Sequence, residues 1–89
     1  MICVYLIKNL VNKKFYIGST KNFNVRKLRH IQTLKNNYHH NVHLQRSFNK
    51  HGLKNFVFEI LEECTEEVLF EKEQYWINKL KPEYNIGVS

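Results

Sequence analysis

The chain has 89 residues, 43% apolar and 13% aromatic, with a formal net charge of +6. That size allows one small domain with a single core, predicted to occupy residues 1–89, and the longest apolar runs, such as Cys3 to Ile7, are far too short to span a bilayer. Eleven Lys or Arg and no Asp or Glu lie between Met1 and Phe58, whereas three Lys and all eight acidic residues follow.

An acid-free stretch of that length makes a basic surface, and a basic surface attracts polyanions, chiefly nucleic-acid phosphates. The side chains expected to meet such a backbone are Lys13, Lys14, Lys21, Lys27, Arg29, Lys35, Arg46 and Lys50. Two cysteines far apart, Cys3 and Cys64, argue for reduced thiols in a cytoplasmic setting rather than a disulfide scaffold. No secretory signal anatomy is expected, because the strand-like pattern starts at once. His39 and His43 have i, i+4 spacing but lack a third ligand, and no paired Cys and His suggest zinc.

Ile2 to Lys8 and Lys14 to Gly18 are rich in β-branched and aromatic residues, with polar Asn9, Asn12 and Lys13 between them. The pattern predicts a hairpin. If it is symmetric about Leu10 and Val11, Tyr5 faces Tyr16 directly and the two phenols are neighbours on one face. Gly18 to Asn22 reads as a turn, with Asn22 or Asn24 capping a helix. Val25, Leu28, Ile31 or Gln32, and Lys35 outline one stripe of that helix; Arg26, His30 and Thr33 outline another, with Arg26 and His30 one turn apart. Asn41 caps a second helix from Val42 to Lys50, with Leu44 and Phe48 inward and Gly52 as its stop.

Alternation from Phe56 to Leu61 predicts a third strand. Thr65 then caps a helix that carries Glu66 and Glu67 in its first turn and ends near Leu80, before Pro82. Tyr84 to Gly87 forms either a short last strand or a surface-packed tail. The order ββααβα with an extended end is that of a small α+β sandwich.

Certain residues fit chemistry better than packing. On the last helix Leu69, Phe70, Trp76, Ile77 and Leu80 define an apolar stripe by 3.6-residue spacing, and Glu73 falls inside it. A carboxylate there requires either a buried salt bridge or a bound cation, and one carboxylate with phosphate and water is how Mg²⁺ is usually held. Arg26 offers planar donors matched to phosphate oxygens. His30 beside it can accept or relay a proton. Paired phenols near cations are biased towards phenolate, and Lys14, two residues before Tyr16, is one candidate cation.

The ordered set Tyr5, Tyr16-Ile17-Gly18, Arg26, His30, Glu73 and Asn85 resembles the GIY-YIG nuclease family, most closely the catalytic domain of phage-type homing endonucleases of group I introns. The resemblance extends over nearly the whole chain, including Leu44 to Gly52 and Glu71 to Ile77. It implies an α+β fold with a small three-stranded antiparallel sheet flanked by helices, and hydrolysis of a DNA phosphodiester with one Mg²⁺. By the family pattern Tyr5 helps activate water, Tyr16 bonds the site or the scissile phosphate, and Arg26 stabilises transition-state charge. His30 assists proton transfer or orients Tyr5, Glu73 binds the metal, and His39 and Asn85 occupy supporting positions. One departure is visible: the first motif reads Cys3-Val4-Tyr5 where the family has Gly-Ile-Tyr. Such enzymes usually carry a separate DNA-binding region, so a missing segment or partner protein is expected to supply specificity, and a phage or mobile-element origin is in keeping with the resemblance. The rival reading is a nucleic-acid-binding module that no longer cuts; an RNA-binding role has no motif to support it.

Overall fold

The computed structural model describes residues 1–85. Its elements are β1 (Cys3–Asn9), β2 (Phe15–Thr20), α1 (Phe23–Lys35), α2 (Val42–His51), β3 (Phe56–Glu63) and α3 (Leu69–Leu80), with 3-10 turns at Leu53–Asn55, Glu66–Val68 and Glu83–Asn85. The three strands are antiparallel in the order β2-β1-β3. β1 is central, so both of its faces are covered, which explains why Cys3 to Ile7 is uninterruptedly apolar and buried.

One face of the sheet carries Cys3, Tyr5, Ile7 and Phe56, which pack with Leu34 of α1, Leu44 of α2 and Tyr84. The opposite face carries Val4, Leu6 and Ile17, which meet Leu61 and, from α3, Leu69, Trp76, Ile77 and Leu80. A register shift between Val4 and Tyr5 passes over Leu61 on β3, because Tyr5 pairs with Ile60 and Val4 with Glu62. The bulge turns Leu61 and Glu62 alike towards α3, where Trp76 Nε1 donates to Glu62 Oε1 at 3.0 Å and Lys72 forms an ion pair with it at 2.9 Å.

Several local expectations need correction. The hairpin centres on Val11 and Asn12, not on Leu10 and Val11: Tyr5 pairs with Gly18 and Tyr16 with Ile7. Asn9 moves the turn, since its side chain accepts from Val11 N at 2.8 Å and its carbonyl from Lys13 N at 2.8 Å, with Lys13 at φ 67°. Because the slip is two residues, the two phenols still share a face, as diagonal rather than direct neighbours.

On α1 the buried side chains are His30 and Leu34, while Val25 and Leu28 are exposed, so the face with the polar histidine is the one against the sheet. Asn22 is the cap, accepting from Val25 N at 3.2 Å. Asn41 caps α2 by accepting from Leu44 N at 3.0 Å. The last helix starts later than predicted, after the Glu66–Val68 turn, and Thr65 makes no side-chain cap. Phe70 is 71% exposed and leaves the stripe assigned to it. Tyr84 is buried within a 3-10 turn rather than a strand; the remainder of the expected 84–87 segment lies outside the described residues. Among the described residues no helix is long and apolar enough to cross a membrane.

Candidate active site

The site gathers at the edge strand β2, where the two helical layers approach each other. Tyr5 is contributed by the buried central strand, and its oxygen lies 2.6 Å from His30 Nε2. The rings of Tyr5 and His30 meet edge to face at 5.7 Å, as do those of Tyr16 and His30. Arg26, one helical turn before His30, reaches Tyr5 and acts electrostatically on both phenols. Glu73 comes from the opposite layer: it is half-buried and its Oε1 accepts from Ser19 Oγ at 3.0 Å. Its charge is felt by Tyr5 and Tyr16 alike.

Gly18 lets these parts meet. It pairs with Tyr5, and a Cβ built on it would stand 2.5 Å from Tyr5 Oη and 3.1 Å from Tyr16 Cε2. Only a residue without a side chain leaves both rings in place. Asn85 holds the same strand: its Nδ2 donates to Ile17 O at 2.9 Å and its Oδ1 accepts from Ile17 N at 2.8 Å. This two-way amide pairing satisfies the outer edge of β2 between Tyr16 and Gly18 and fixes both.

Burial dominates the titration of the phenols. Tyr5 is raised well above the usual phenol range, first by desolvation, then by neighbouring Tyr16, with the Arg26 guanidinium pulling the other way. Tyr16 is raised by burial and then by the Glu73 carboxylate. The expected depression by nearby cations is therefore outweighed. Nor is Lys14 the relevant cation: it is exposed before β2 and absent from the charges acting on either ring, a role that falls to Arg26. Desolvation also pushes His30 down to about 3 and His39 to about 4, with His39, Arg26 and His40 adding to the first shift and His40 to the second. Both imidazoles are neutral at physiological pH.

Among the described residues the hydrogen-bond partner of Glu73 is the Ser19 hydroxyl, and the ion pairs formed are Lys21–Glu66 and Lys72–Glu62. Hence Glu73 is not neutralised by a buried Lys or Arg. Beside it opens a hollow of about 520 Å³ lined by Ser19, Thr20, Lys21, Asn22, Arg26 and Arg29 among others. No group of three or more His, Cys, Asp or Glu among the described residues is arranged to hold a metal. The donor set therefore fits a hard cation that takes one protein carboxylate and completes its shell with phosphate oxygens and water, and does not fit a caged zinc.

Cys3 is fully buried and its thiol is raised by desolvation, so it is a packing residue. Of the basic side chains expected to meet nucleic acid, Lys21 and Arg29 line the hollow, while Lys27 lies over the Phe58 ring at 5.5 Å beside a separate apolar depression. Lys13, Lys14, Lys35, Arg46 and Lys50 are exposed elsewhere. Sequence spacing did not reveal Ser19, or the placement of Gly18 under Tyr5. Their signal is a strand register, which no local pattern encodes.

Residues 1–85 match the family model described as the GIY-YIG catalytic domain. The chain belongs to the GIY-YIG family. It is 44% identical over 84 residues to intron-associated endonuclease 1 of Enterobacteria phage T4, a match covering 92% of this chain and 34% of that protein. It is 41% identical over 64 residues to the probable intron-encoded endonuclease 1 of Neurospora crassa, covering 72% of this chain and 20% of that one. The chain thus spans about a third or less of the length of these relatives. A solved structure of the catalytic domain of homing endonuclease I-TevI superposes with a TM-score of 0.87 at 40% identity, covering 96% of this chain and 94% of that one. A mutant of the same domain gives 0.88, again at 40% identity, covering 99% and 95%. The three-stranded α+β architecture is that of these GIY-YIG domains. GIY-YIG nucleases are in general metal-dependent.

Proposed function

We propose that this chain is one catalytic unit, residues 1–89, of a DNA endonuclease that hydrolyses a phosphodiester with a single Mg²⁺ held at Glu73. The observation that carries the reading is Glu73 itself, a half-buried carboxylate with no cationic partner among the described residues, electrostatically coupled to two phenols and bonded to Ser19 at the wall of a basic hollow. A domain that only binds nucleic acid gains nothing from such a group beside its basic cleft, where it repels phosphate.

In this account Arg26 grips the scissile phosphate and stabilises the charge that builds on its oxygens, with Arg29 and Lys21 steering the backbone into the hollow. Tyr5 reacts in this account as its phenolate: its own proton goes to solvent first, a loss that Arg26 favours against burial, and its oxygen then takes the proton of the attacking water, while Tyr16 orients the phosphate or that water. His30 and, behind it, His39 support Tyr5; Asn85 keeps Tyr16 in place through Ile17. A bound divalent cation supplies Lewis-acid polarisation of the phosphate and charge for the departing 3′ oxygen. Phosphate contacts position without reading sequence, so specificity comes from a separate DNA-binding region or partner, in an intracellular, phage or mobile-element setting.

Supercoiled plasmid provides the test. Relaxation in Mg²⁺, abolished by EDTA and lost in Arg26→Ala and Glu73→Ala, is the expected result. Plasmid retention without nicking, unchanged by Glu73→Ala, would instead mark a binding module.

A further inference from the structure

Behind Tyr5 runs a chain of hydrogen bonds whose direction is fixed at its far end. The main-chain N–H of Asn41 donates to His39 Nδ1 at 3.0 Å. His39 Nε2 lies 2.7 Å from His30 Nδ1, and His30 Nε2 lies 2.6 Å from Tyr5 Oη. A peptide N–H can only donate, so His39 Nδ1 must carry a lone pair. The proton of a neutral His39 is then on Nε2, which donates to His30 Nδ1. By the same logic the His30 proton is on Nε2 and points at the Tyr5 oxygen.

We propose that the loop from His39 to Asn41 is a tautomer lock, which makes His30 a fixed hydrogen-bond donor to Tyr5 and makes His39, Asn41 and Gln45 positioning residues for it. The opposite sense, with Tyr5 donating to His30 Nε2, requires a proton on His30 Nδ1 and then one on His39 Nδ1. That would set two donors against each other 3.0 Å apart at Asn41. Protonating either imidazole creates a donor–donor contact of the same kind, and burial beside Arg26 and His40 disfavours it further.

The loop is built to keep the Asn41 amide in place. Gln45, itself buried, accepts from His39 N at 2.9 Å and donates to Leu34 O and Asn49 Oδ1, both at 2.9 Å. The Asn41 side chain accepts from Leu44 N and donates to Tyr84 O at 2.7 Å. The His39 ring is nearly parallel to His30 at 4.9 Å and to His40 at 4.4 Å, which leaves it little freedom to turn.

The consequence, which rests on the nuclease reading, is a division of labour. His30 presents no lone pair to Tyr5, so it does not draw off the phenolic proton. Its N–H instead stabilises negative charge on the buried Tyr5 oxygen. Once Tyr5 is a phenolate, its oxygen and not His30 is the base of the pair.

Nitrogen-15 spectra of histidine-labelled free protein, without DNA or metal, separate bare from protonated ring nitrogens. Both His30 and His39 are expected to carry their proton on Nε2. In His39→Gln the amide nitrogen can replace the lost Nε2–H, so His30 should keep its tautomer and cleavage should stay within about 10-fold of the parent. His39→Leu removes the donor; His30 should then populate both tautomers and single-turnover cleavage should fall by roughly 10²-fold or more. A proton on His30 Nδ1 in the parent protein overturns the lock, as does a Leu variant with an unaltered His30 spectrum. The parent and Gln spectra decide the matter even if the Leu variant does not fold. Loss of all cleavage by the parent sinks the nuclease reading instead, and leaves the spectra to judge the lock.

Discussion

The two faces of one small sheet are built to opposite rules. The face towards α3 is almost wholly apolar, with Val4, Leu6 and Ile17 against Leu69, Trp76, Ile77 and Leu80. The face towards α1 and α2 buries Tyr5, Asn9, His30, His39, Asn41, Gln45 and Tyr84. Every buried polar side-chain atom among the described residues has a partner: Asn9, for example, donates to Ser47 Oγ at 2.8 Å, and Ser47 in turn lies 2.6 Å from the Tyr84 hydroxyl. A buried polar network of that kind specifies geometry at the expense of stability, whereas an apolar face supplies stability with little chemical content. The site forms where they meet, with the phenols and Arg26 from one layer and Glu73 from the other.

If that division is right, substitutions on the two faces should fail in different ways. The largest effect belongs to the polar face: Tyr5→Phe should lower single-turnover cleavage by roughly 10²–10⁴-fold while leaving the fold intact, as measured on a short labelled duplex. Arg26→Ala should cost on the order of 10²–10³-fold in the same assay, with weaker DNA retention at low salt. On the apolar face, Leu80→Ala, at a partly buried position, should destabilise by about 1–3 kcal/mol in urea titration, yet cleave at the parental rate per folded molecule. A parental urea midpoint for Leu80→Ala, or a folded variant with lost cleavage, would break the distinction.

Gly18→Ala tests the seam between the faces. Its methyl group meets the Tyr5 hydroxyl, so a modest loss of about 1–3 kcal/mol should accompany a loss of cleavage that Tyr5→Phe does not deepen additively.

The last contrast concerns acid. His30 and His39 are neutral when folded, with their values pushed down to about 3 and about 4, and titrate near 6.5 when unfolded. Between those limits the unfolded chain binds more protons. Stability should therefore be full above pH 6.5 and decline as pH falls towards 4, by roughly 1 kcal/mol or more per pH unit. A His39→Gln variant should show a shallower slope in urea midpoints measured across that range, because one of the two groups is gone.

Much of this was legible in the residues, and the failures have a common cause. Capping by Asn41 and by one of Asn22 and Asn24, the inward Leu44 and the late-helix stripe with Glu73 are local signals, read from spacing; the structure selects Asn22. The hairpin register was misread by two because Asn9 uses its own side chain to start the turn, a choice visible only once the strand partner is known. The two stripes of α1 leave its buried face open, because hydropathy favours Val25 and Leu28 whereas the position above the phenols demands His30. The ranking of burial over charge at Tyr5 and Tyr16 depends on how deep the rings sit. Depth is a property of the assembled core, not of any segment.

The account turns on one carboxylate and two phenols addressing the same phosphorus. A crystal of the domain with a DNA duplex and Mn²⁺ in place of Mg²⁺, examined by anomalous scattering, addresses that most directly. One metal peak at about 2 Å from a Glu73 oxygen, bridging to a phosphate oxygen within reach of Tyr5 and Arg26, is the predicted result. Manganese bound elsewhere, with the scissile phosphate remote from Glu73, would contradict it.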